Sequence, residues 1–413
     1  GTSGATGEVV LGEANSTSVH FHYTSESVFV AGETITEATS NYTKTVSAVE
    51  AKDINQDVSD FIDGQTGFGL QVSLDGQWLA VGASSHGAVS SSIGFKGGTV
   101  FLYSYTDAAF SGGTLQAVIG DGYTGGNNFN FATSEKDFFG SGVSLHGGRL
   151  AVGVRGDDGL NSDNSNGATG AVHLFTFNDD VTLSDEEVVD IDLIHRASIG
   201  KNYIPELTVA SSTDALTAGR TITGGTSGAT GVVVTGAAGS TSVTYSLTSG
   251  TFADGETITE ATSGFTRTVS AVTNNLDLGN NFGTTNKTGG SANEGGVSLS
   301  TISFGYGVSL SEDAGGNARL AVGASGAQEA FGGTCNSNCG AVYLFTFADA
   351  DNGKDFSGGA VAAVIGEAYD NDYSGNANPR SGRDIDMTTI TDNTDLFGIA
   401  VSLTYDSSLG THR

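Results

Sequence analysis

Three loops of the sequence carry aspartate and asparagine side chains at the close spacing that calcium ligands need. Calcium binds about six to eight oxygen atoms, and a loop that alternates carboxylates and amides around a glycine supplies several of them. Tight turns favour the same residue types, so a structural origin is the alternative. The loops lack the final bidentate glutamate of an EF-hand. The candidate Ca²⁺ ligands are Asp157, Asp158 and Asp163, then Asp349, Asp351 and Asp355, and finally Asp370 and Asp372.

The two cysteines, Cys335 and Cys339, lie in one loop and are separated by three residues. A disulfide between them would suit an oxidising compartment. A zinc site would need two more ligands, and no His or Cys stands nearby in the sequence. The spacing therefore favours a disulfide, with two free thiols as the alternative. The closed loop is so short that its entropic contribution to stability would be small.

The other polar residues show no arrangement that is typical of an enzyme. We find no Ser/His/Asp set, nucleophile elbow, phosphate-binding loop or repeated pair of acids in the sequence. The residues that recur in register are instead Phe, Val, Leu, Ala, Ile and Gly, which pack and form turns. We therefore predict that the chain is not an enzyme.

The elements that must position these loops come from a phrase that occurs four times. It has the form FGxxVSL and begins at Phe68, Phe139, Phe304 and Phe397. In the first three copies it is followed by LAVG and then by GTVFLY, GAVHLF or GAVYLF. Short β-branched or aromatic runs bounded by Gly, Ser, Asn or Asp indicate strands. With a fourth apolar run, each copy predicts four strands, which is the content of one propeller blade. The Gly after each LAV is expected to permit a close backbone approach or a bulge.

A second repeat lies between these units and alternates Thr and Val with Gly-rich turns. It predicts small all-β modules of about fifty residues. The second copy is preceded by AGRTITG at 218–224, which resembles an extra strand that the first copy lacks. The repeated pieces are GTSGATG at 1–7 and 225–231, GETITEATS at 32–40 and 255–263, and TVSAV at 45–49 and 268–272.

The sequence thus predicts an all-β fold in which propeller-like, four-stranded antiparallel blades are interrupted by small β-modules. The fourth unit stops at Arg413, before its LAVG run, so we expect these residues to belong to a longer repetitive polypeptide. The predicted segments are a small β-module at 1–51, unit 1 at 52–131, unit 2 at 132–206, a second module at 207–274, unit 3 at 275–370 and a truncated unit 4 at 371–413.

The order FGxxVSL, RLAVGA, a Gly/Asp/Asn loop and GAVYLF resembles the FG-GAP repeat of integrin α-subunit β-propellers and of large bacterial surface proteins. The resemblance covers 61–203 and 297–369, with a further stub from 390. It implies four-stranded antiparallel blades in an extracellular and often adhesive protein. The GTSGATG modules resemble repeats of microbial surface proteins and phage fibres.

The FG-GAP resemblance does not extend to the calcium loop that the integrin form carries between its FG and LAVG strands. Here that connection consists of 75–77, 146–148 or 311–318. None of these segments offers the alternating oxygen ligands that a hard cation requires. The family's calcium site is therefore not expected at this position.

The chain is strongly acidic, with 46 acidic and 16 basic residues and a formal net charge of −30. Such a charge favours solubility and disfavours binding to nucleic acid or anionic membranes. No apolar run approaches the ~20 residues that span a bilayer, so we expect no membrane insertion. The FG-GAP resemblance implies a secreted protein, located extracellularly or at the cell surface.

The first functional hypothesis is a structural or adhesive repeat protein, with Ca²⁺ as its candidate cofactor. An unfinished unit exposes a strand edge, which a neighbouring chain can complete by strand addition. We therefore expect self-association into a filament. The alternative is a fibre module that binds a carbohydrate or receptor on a cell surface. Its candidate aromatic residues are Tyr123, Phe129 and Phe131, or Tyr369 and Tyr373.

Overall fold

The computed structural model describes residues 3–11, 20–23, 29–47, 66–86, 97–107, 110, 112–159, 168–183, 188–278, 301–326, 340–349, 354–366, 380–389 and 397–404. In this part of the chain the backbone forms strands and turns and no helix. It therefore includes no helix that could cross a membrane. The predicted all-β character is confirmed.

The described part of the first module contains two short antiparallel pairs. Strand β1 pairs with β2, and β3 pairs with β4. Their bounds are Gly7–Leu11 for β1, His20–Tyr23 for β2, Thr34–Thr36 for β3 and Thr43–Thr45 for β4.

Units 1 and 2 are antiparallel sheets whose four main strands pair in the order of the sequence. In unit 1 a short fifth strand, β9, pairs in parallel with β8. The strands of unit 1 are β5 Phe68–Asp75, β6 Trp78–Ala83, β7 Thr99–Ser104, β8 Thr114–Gly120 and β9 Phe129–Asn130. Those of unit 2 are β10 Phe139–His146, β11 Arg149–Val154, β12 Ala168–Thr176 and β13 Ile194–Gly200.

The second module closes into a six-stranded barrel with the order β14-β17-β16-β15-β18-β19. The segment expected to be an extra strand forms β15. After the barrel, the short strand β20 pairs in parallel with β13 of unit 2. The bounds are β14 Glu206–Val209, β15 Thr221–Gly224, β16 Thr230–Thr235, β17 Ser242–Ser249, β18 Thr257–Glu260, β19 Thr266–Thr273 and β20 Leu276–Asp277.

A buried glutamate fastens the GTSGATG loop of the barrel. The carboxylate of Glu256 accepts hydrogen bonds from Ala253 N–H at 2.7 Å, Ser227 N–H at 3.1 Å and Thr226 N–H at 3.2 Å. It also accepts the Ser227 hydroxyl at 2.9 Å. Burial alone would raise the pKa of Glu256, but these hydrogen bonds outweigh it and hold the pKa below the ordinary value. The loop is therefore closed by an ionised carboxylate.

The first module repeats this arrangement. The carboxylate of Glu33 accepts Val30 N–H at 2.8 Å, Ser3 N–H at 3.1 Å and the Ser3 hydroxyl at 2.8 Å. The recurrence explains why the GTSGATG phrase and the glutamate of GETITEATS repeat together in the sequence.

Unit 3 has the same strand order as the other units and continues the sheet of unit 2. The first strand of unit 3, β21, pairs in parallel with the start of β12, so both units share one nine-stranded sheet. Strands β25 and β26 pair with each other, and β25 lies beside β21 and β22. The bounds are β21 Thr301–Glu312, β22 Ala318–Ala324, β23 Ala341–Thr346, β24 Ala360–Gly366, β25 Arg380–Thr389 and β26 Phe397–Thr404.

The hydrophobic cores lie between successive units. The first core joins Ala80, Val100 and Leu102 of unit 1 to the first strands of unit 2. The second core joins Ala151, Val172 and Leu174 of unit 2 to the first strands of unit 3 in the same way. Each of these units therefore presents an Ala-Val-Leu surface, which we call the forward face, to the unit that follows it.

The Gly that follows each LAV is required by these contacts. A Cβ on Gly82 would lie 2.3 Å from the carbonyl oxygen of Gly140, and one on Gly153 would lie 1.8 Å from that of Gly305. Because no side chain fits at these distances, the prediction of a close backbone approach is confirmed for both residues. The partners Gly140 and Gly305 have φ values of +84° and +86° and lie where the register of the FG strand shifts, which favours glycine.

Candidate functional sites

The interfaces between units repeat one hydrogen bond as well as one apolar contact. The Ser73 hydroxyl of unit 1 accepts the Leu145 N–H of unit 2 at 2.9 Å. The Ser144 hydroxyl of unit 2 accepts the Leu310 N–H of unit 3 at the same distance, 2.9 Å. The serine of each of these FGxxVSL phrases therefore aligns the FG strand of the next unit.

The Val and Leu of this phrase are buried only where a preceding unit covers them. In unit 2, Val143 and Leu145 are each 5% exposed. In unit 3 the equivalent side chains are buried to a similar extent. In unit 1, however, Val72 is 59% and Leu74 is 51% exposed, and Leu70 on the same strand is 63% exposed. These three side chains form the "β5 face", an apolar surface that no unit covers within the described residues.

An ion pair also joins unit 2 to unit 3. The Arg149 guanidinium is almost fully buried, and it donates to Asp349 at 2.9 Å, to the Gly316 carbonyl at 3.1 Å and to Glu312. Asp349 also accepts Ala318 N–H at 2.8 Å. This predicted Ca²⁺ ligand is therefore surrounded by protein donors, and it holds two units together.

A second polar cluster lies at the end of β11 in unit 2. Asp137 precedes β10, and its carbonyl oxygen accepts the N–H of Gly156 at 2.9 Å. The Asp157 carboxylate accepts the Tyr203 hydroxyl at 2.7 Å and Gly159 N–H at 2.6 Å. The next residue, Asp158, is 8% exposed, and both of its carboxylate oxygens are buried with no hydrogen-bond donor in the described part of the chain. We call Asp137, Asp157 and Asp158 the acidic cluster.

Burial dominates the electrostatics of the acidic cluster. Desolvation raises the pKa of Asp137 to about 7, opposed by a hydrogen bond from Ser134 N–H and reinforced by the charges of Asp157 and Asp158. Desolvation also raises the pKa of Asp157 to about 6, against the hydrogen bonds from Tyr203 and Gly159. The arrangement can therefore hold protons or attract a cation.

Beside the acidic cluster, a serine lies between the buried His173 and the half-buried His195. The Ser198 hydroxyl is 2.8 Å from Nδ1 of His173 and 3.2 Å from Nε2 of His195. Burial lowers the pKa of both imidazoles, that of His195 to about 4. Both rings are therefore neutral near pH 7. The Tyr203 ring contacts His173 at a centroid distance of 5.6 Å, which connects this trio to the acidic cluster.

These polar residues replace apolar ones at matching positions of the other units. His173 on β12 stands opposite Ser198 on the neighbouring strand β13. At the same position of the register, Phe101 stands opposite Val118 in unit 1, and Tyr343 stands opposite Val364 in unit 3. Sequence reasoning missed the functional candidates Asp137, His173, His195, Ser198 and Tyr203. An alignment of the units on their FG, LAVG and GAV phrases would have shown the His and Ser substitutions.

The remaining predicted residues are spread over several environments. Asp355 accepts Ser357 N–H at 3.0 Å, and burial raises the pKa of Asp355. Tyr123 is buried, while Phe129 and Phe131 are half-buried and pack against the core. Outside the described residues lie Asp163, Asp351, Asp370, Asp372, Tyr369, Tyr373, Cys335 and Cys339.

Among the described residues, no group of three or more His, Cys, Asp or Glu side chains is arranged to hold a metal ion. A metal at the acidic cluster would therefore rely largely on backbone carbonyl oxygens and water.

No protein-family model matches the sequence, and the search of curated proteins finds no match. The FG-GAP resemblance therefore rests on the repeated phrases themselves.

Proposed function

We propose that the chain is a non-catalytic, extracellular structural protein that assembles into filaments. In this proposal its units are FG-GAP-like propeller blades, and copies join head to tail through the β5 face of unit 1. The single observation that carries the proposal is the exposure of Val72 and Leu74, whose equivalents in units 2 and 3 are buried by a preceding unit.

The occupant of the β5 face is a unit of a second copy that presents a forward face. Such a face already covers the same FG-strand residues twice within the chain. Unit 3 carries the same residues, Ala321, Val342 and the partly buried Leu344. Ala321 and Val342 are already fully buried and β25 lies beside β21 and β22, so this face can meet a second copy only after β25 and β26 move aside. Repeat proteins grow through identical nearest-neighbour contacts, and a heterologous contact that does not close on itself produces a filament.

One such contact contributes a modest free energy of association, and the total grows with the number of copies in the assembly. Burying the exposed part of Leu70, Val72 and Leu74 contributes about 1 kcal/mol each. The Leu of the FG strand in unit 1 also provides the N–H that would meet the serine of the preceding unit, as in both internal interfaces. The large negative charge opposes association, so we expect assembly to strengthen with ionic strength.

The alternative, a carbohydrate-binding fibre module, gains no support from the described aromatic candidates. The Phe131 ring stacks on Phe139 at 5.1 Å and lies 4.5 Å from His173, so it belongs to the core of unit 2. Strand addition at unit 4, which the sequence suggested, is a second route to the same filament.

Analytical ultracentrifugation and negative-stain microscopy of the full chain test the proposal. The double variant Val72→Asp/Leu74→Asp changes exposed side chains and should remain folded but stay monomeric at concentrations where the parent chain associates. The matched control Val234→Asp/Leu247→Asp changes exposed apolar residues of the barrel and should associate like the parent.

Three results would count against this assembly. A parent chain that stays monomeric at high concentration and high salt would remove the basis for a filament. Equal association of parent and Val72→Asp/Leu74→Asp would show that another surface carries it. A double variant that instead lowers the melting temperature of the monomer would show that this chain's own segment before β5 covers the face.

A further inference from the structure

Asp158 lacks the partners that buried carboxylates have elsewhere in this protein. Asp349 receives a guanidinium and two backbone N–H groups, and Glu256 receives four hydrogen bonds. Among the described residues, none donates a hydrogen bond to the Asp158 carboxylate or forms an ion pair with it. An unpaired buried carboxylate costs several kcal/mol, so a missing partner is implied.

The neighbours of Asp158 make the missing partner a cation. Asp157 precedes it directly, and its two carboxylate oxygens already accept Tyr203 and Gly159. Asp137 adds a third carboxyl group at the same end of unit 2. Acidic neighbours repel one another in a region of low dielectric, and a positive ion relieves this repulsion.

Backbone oxygens are available beside the cluster. Gly159 has a φ of +98°, and a Cβ at this position would lie 2.5 Å from the carbonyl oxygen of Lys201. The glycine therefore lets the loop after β11 approach the chain after β13 closely. Carbonyl oxygens, carboxylates and water are the ligands that Ca²⁺ prefers, and Ca²⁺ tolerates irregular geometry.

We propose that Asp158 binds a hard divalent cation, of which Ca²⁺ is the best fit, at the acidic cluster of unit 2. Asp158 supplies the carboxylate ligand, Asp157 and Asp137 supply negative potential, and carbonyl oxygens and water complete the coordination. The site belongs to unit 2 and not to unit 1, because unit 1 has His86 and Gly87 in the sequence where unit 2 has Asp157 and Asp158. The alignment follows from the backbone, since the His86 carbonyl accepts Gly98 N–H as the Asp157 carbonyl accepts Gly170 N–H. The position also differs from the FG-to-LAVG connection, since the cluster follows the LAVG strand.

Isothermal titration calorimetry of the full chain with Ca²⁺ and with Mg²⁺ tests this proposal, together with melting curves in Ca²⁺ and in EDTA. The parent chain should bind Ca²⁺ more tightly than Mg²⁺ and melt at a higher temperature in Ca²⁺. Asp158→Asn should weaken Ca²⁺ binding at least about tenfold. In EDTA the same variant should melt at or above the parent temperature, because it removes an unpaired buried charge.

The exposed Asp190→Asn in the same unit is the matched control and should keep the parent affinity. Tb³⁺ luminescence, excited through the tyrosine that contacts Asp157, gives a local readout that should be lost in Asp158→Asn. Asp158→Ser serves as a second variant with the same expectation. If Asp158→Asn keeps the parent Ca²⁺ affinity, or if the parent melts equally in Ca²⁺ and EDTA, the proposal is wrong and the cluster holds protons instead.

Discussion

The buried Glu256 of the barrel gives the most direct test of how the GTSGATG loop is held. Replacing Glu256 with alanine removes the acceptor of three backbone N–H groups and one hydroxyl. Each charge-assisted hydrogen bond contributes about 1.5–3 kcal/mol, but bonds to one carboxylate are not additive. We therefore expect Glu256→Ala to destabilise the barrel locally by roughly 3 kcal/mol.

Hydrogen exchange measured by mass spectrometry on the full chain is the appropriate assay. The single tryptophan, Trp78, lies in unit 1 and would not report on the barrel. Peptides covering 225–231 and 250–256 should exchange about a hundredfold faster in Glu256→Ala, since each 1.4 kcal/mol corresponds to a factor of ten. Glu256→Gln keeps an acceptor and should show a smaller change.

The control is Glu206→Ala, which removes a partly exposed carboxylate from β14 of the same barrel and should leave these peptides unchanged. The pH dependence adds a second check. Because the folded pKa of Glu256 is lowered, its stabilisation is present above about pH 4.5 and is lost as the pH falls through the folded value. If these peptides exchange in Glu256→Ala at pH 7 as slowly as in the parent, the Glu256 carboxylate does not hold the GTSGATG loop.

Two further predictions concern the units. Gly153→Ala places a Cβ against the Gly305 carbonyl and should lower the free energy of unfolding by about 3 kcal/mol. Urea denaturation measures this change, and an unfolding midpoint equal to that of the parent would contradict the tight contact. His195 has a folded pKa of about 4, so the parent should lose stability as the pH falls below about 6.5, where the unfolded histidine gains a proton. Between about pH 6.5 and 5, the free energy of unfolding of His195→Phe should fall by roughly 2 kcal/mol less than that of the parent. Unfolding can be followed by the fluorescence of Trp78, which contacts Phe177 of unit 2. Equal losses in both proteins would refute a neutral His195 imidazole in the folded state.

The strands of the units could be predicted because their signals are local. Phe68, Phe139 and Phe304 each belong to a short β-branched run bounded by polar turns, and each run forms the expected strand. The close approach at Gly82 and Gly153 was also predictable, since a lone glycine in a strand marks tight contact. The two-residue strands β9 and β20 are too short to leave a pattern in the sequence.

The partners of the aspartates could not be predicted, because they come from distant parts of the chain. Asp349 meets Arg149, which is 200 residues away, although its loop has the composition of a calcium site or a turn. Asp137 lies near Asp157 where the N–H of Gly156 bonds to the carbonyl of Asp137, a contact between segments about twenty residues apart. Asp and Asn composition alone does not distinguish a buried ion pair, an unpaired carboxylate and an exposed turn.

The position of the polar cluster within the repeat follows from nearest-neighbour energetics. Histidine and serine at core positions weaken the apolar packing of one unit, and the contacts with adjacent units must compensate. Among the described residues, unit 2 packs against a four-stranded unit on both sides, and its sheet continues into unit 3. Unit 1 has an uncovered β5 face, so the same substitutions there would remove packing that no preceding unit replaces. A polar site is therefore best tolerated where both interfaces are complete, and unit 2 is where it occurs.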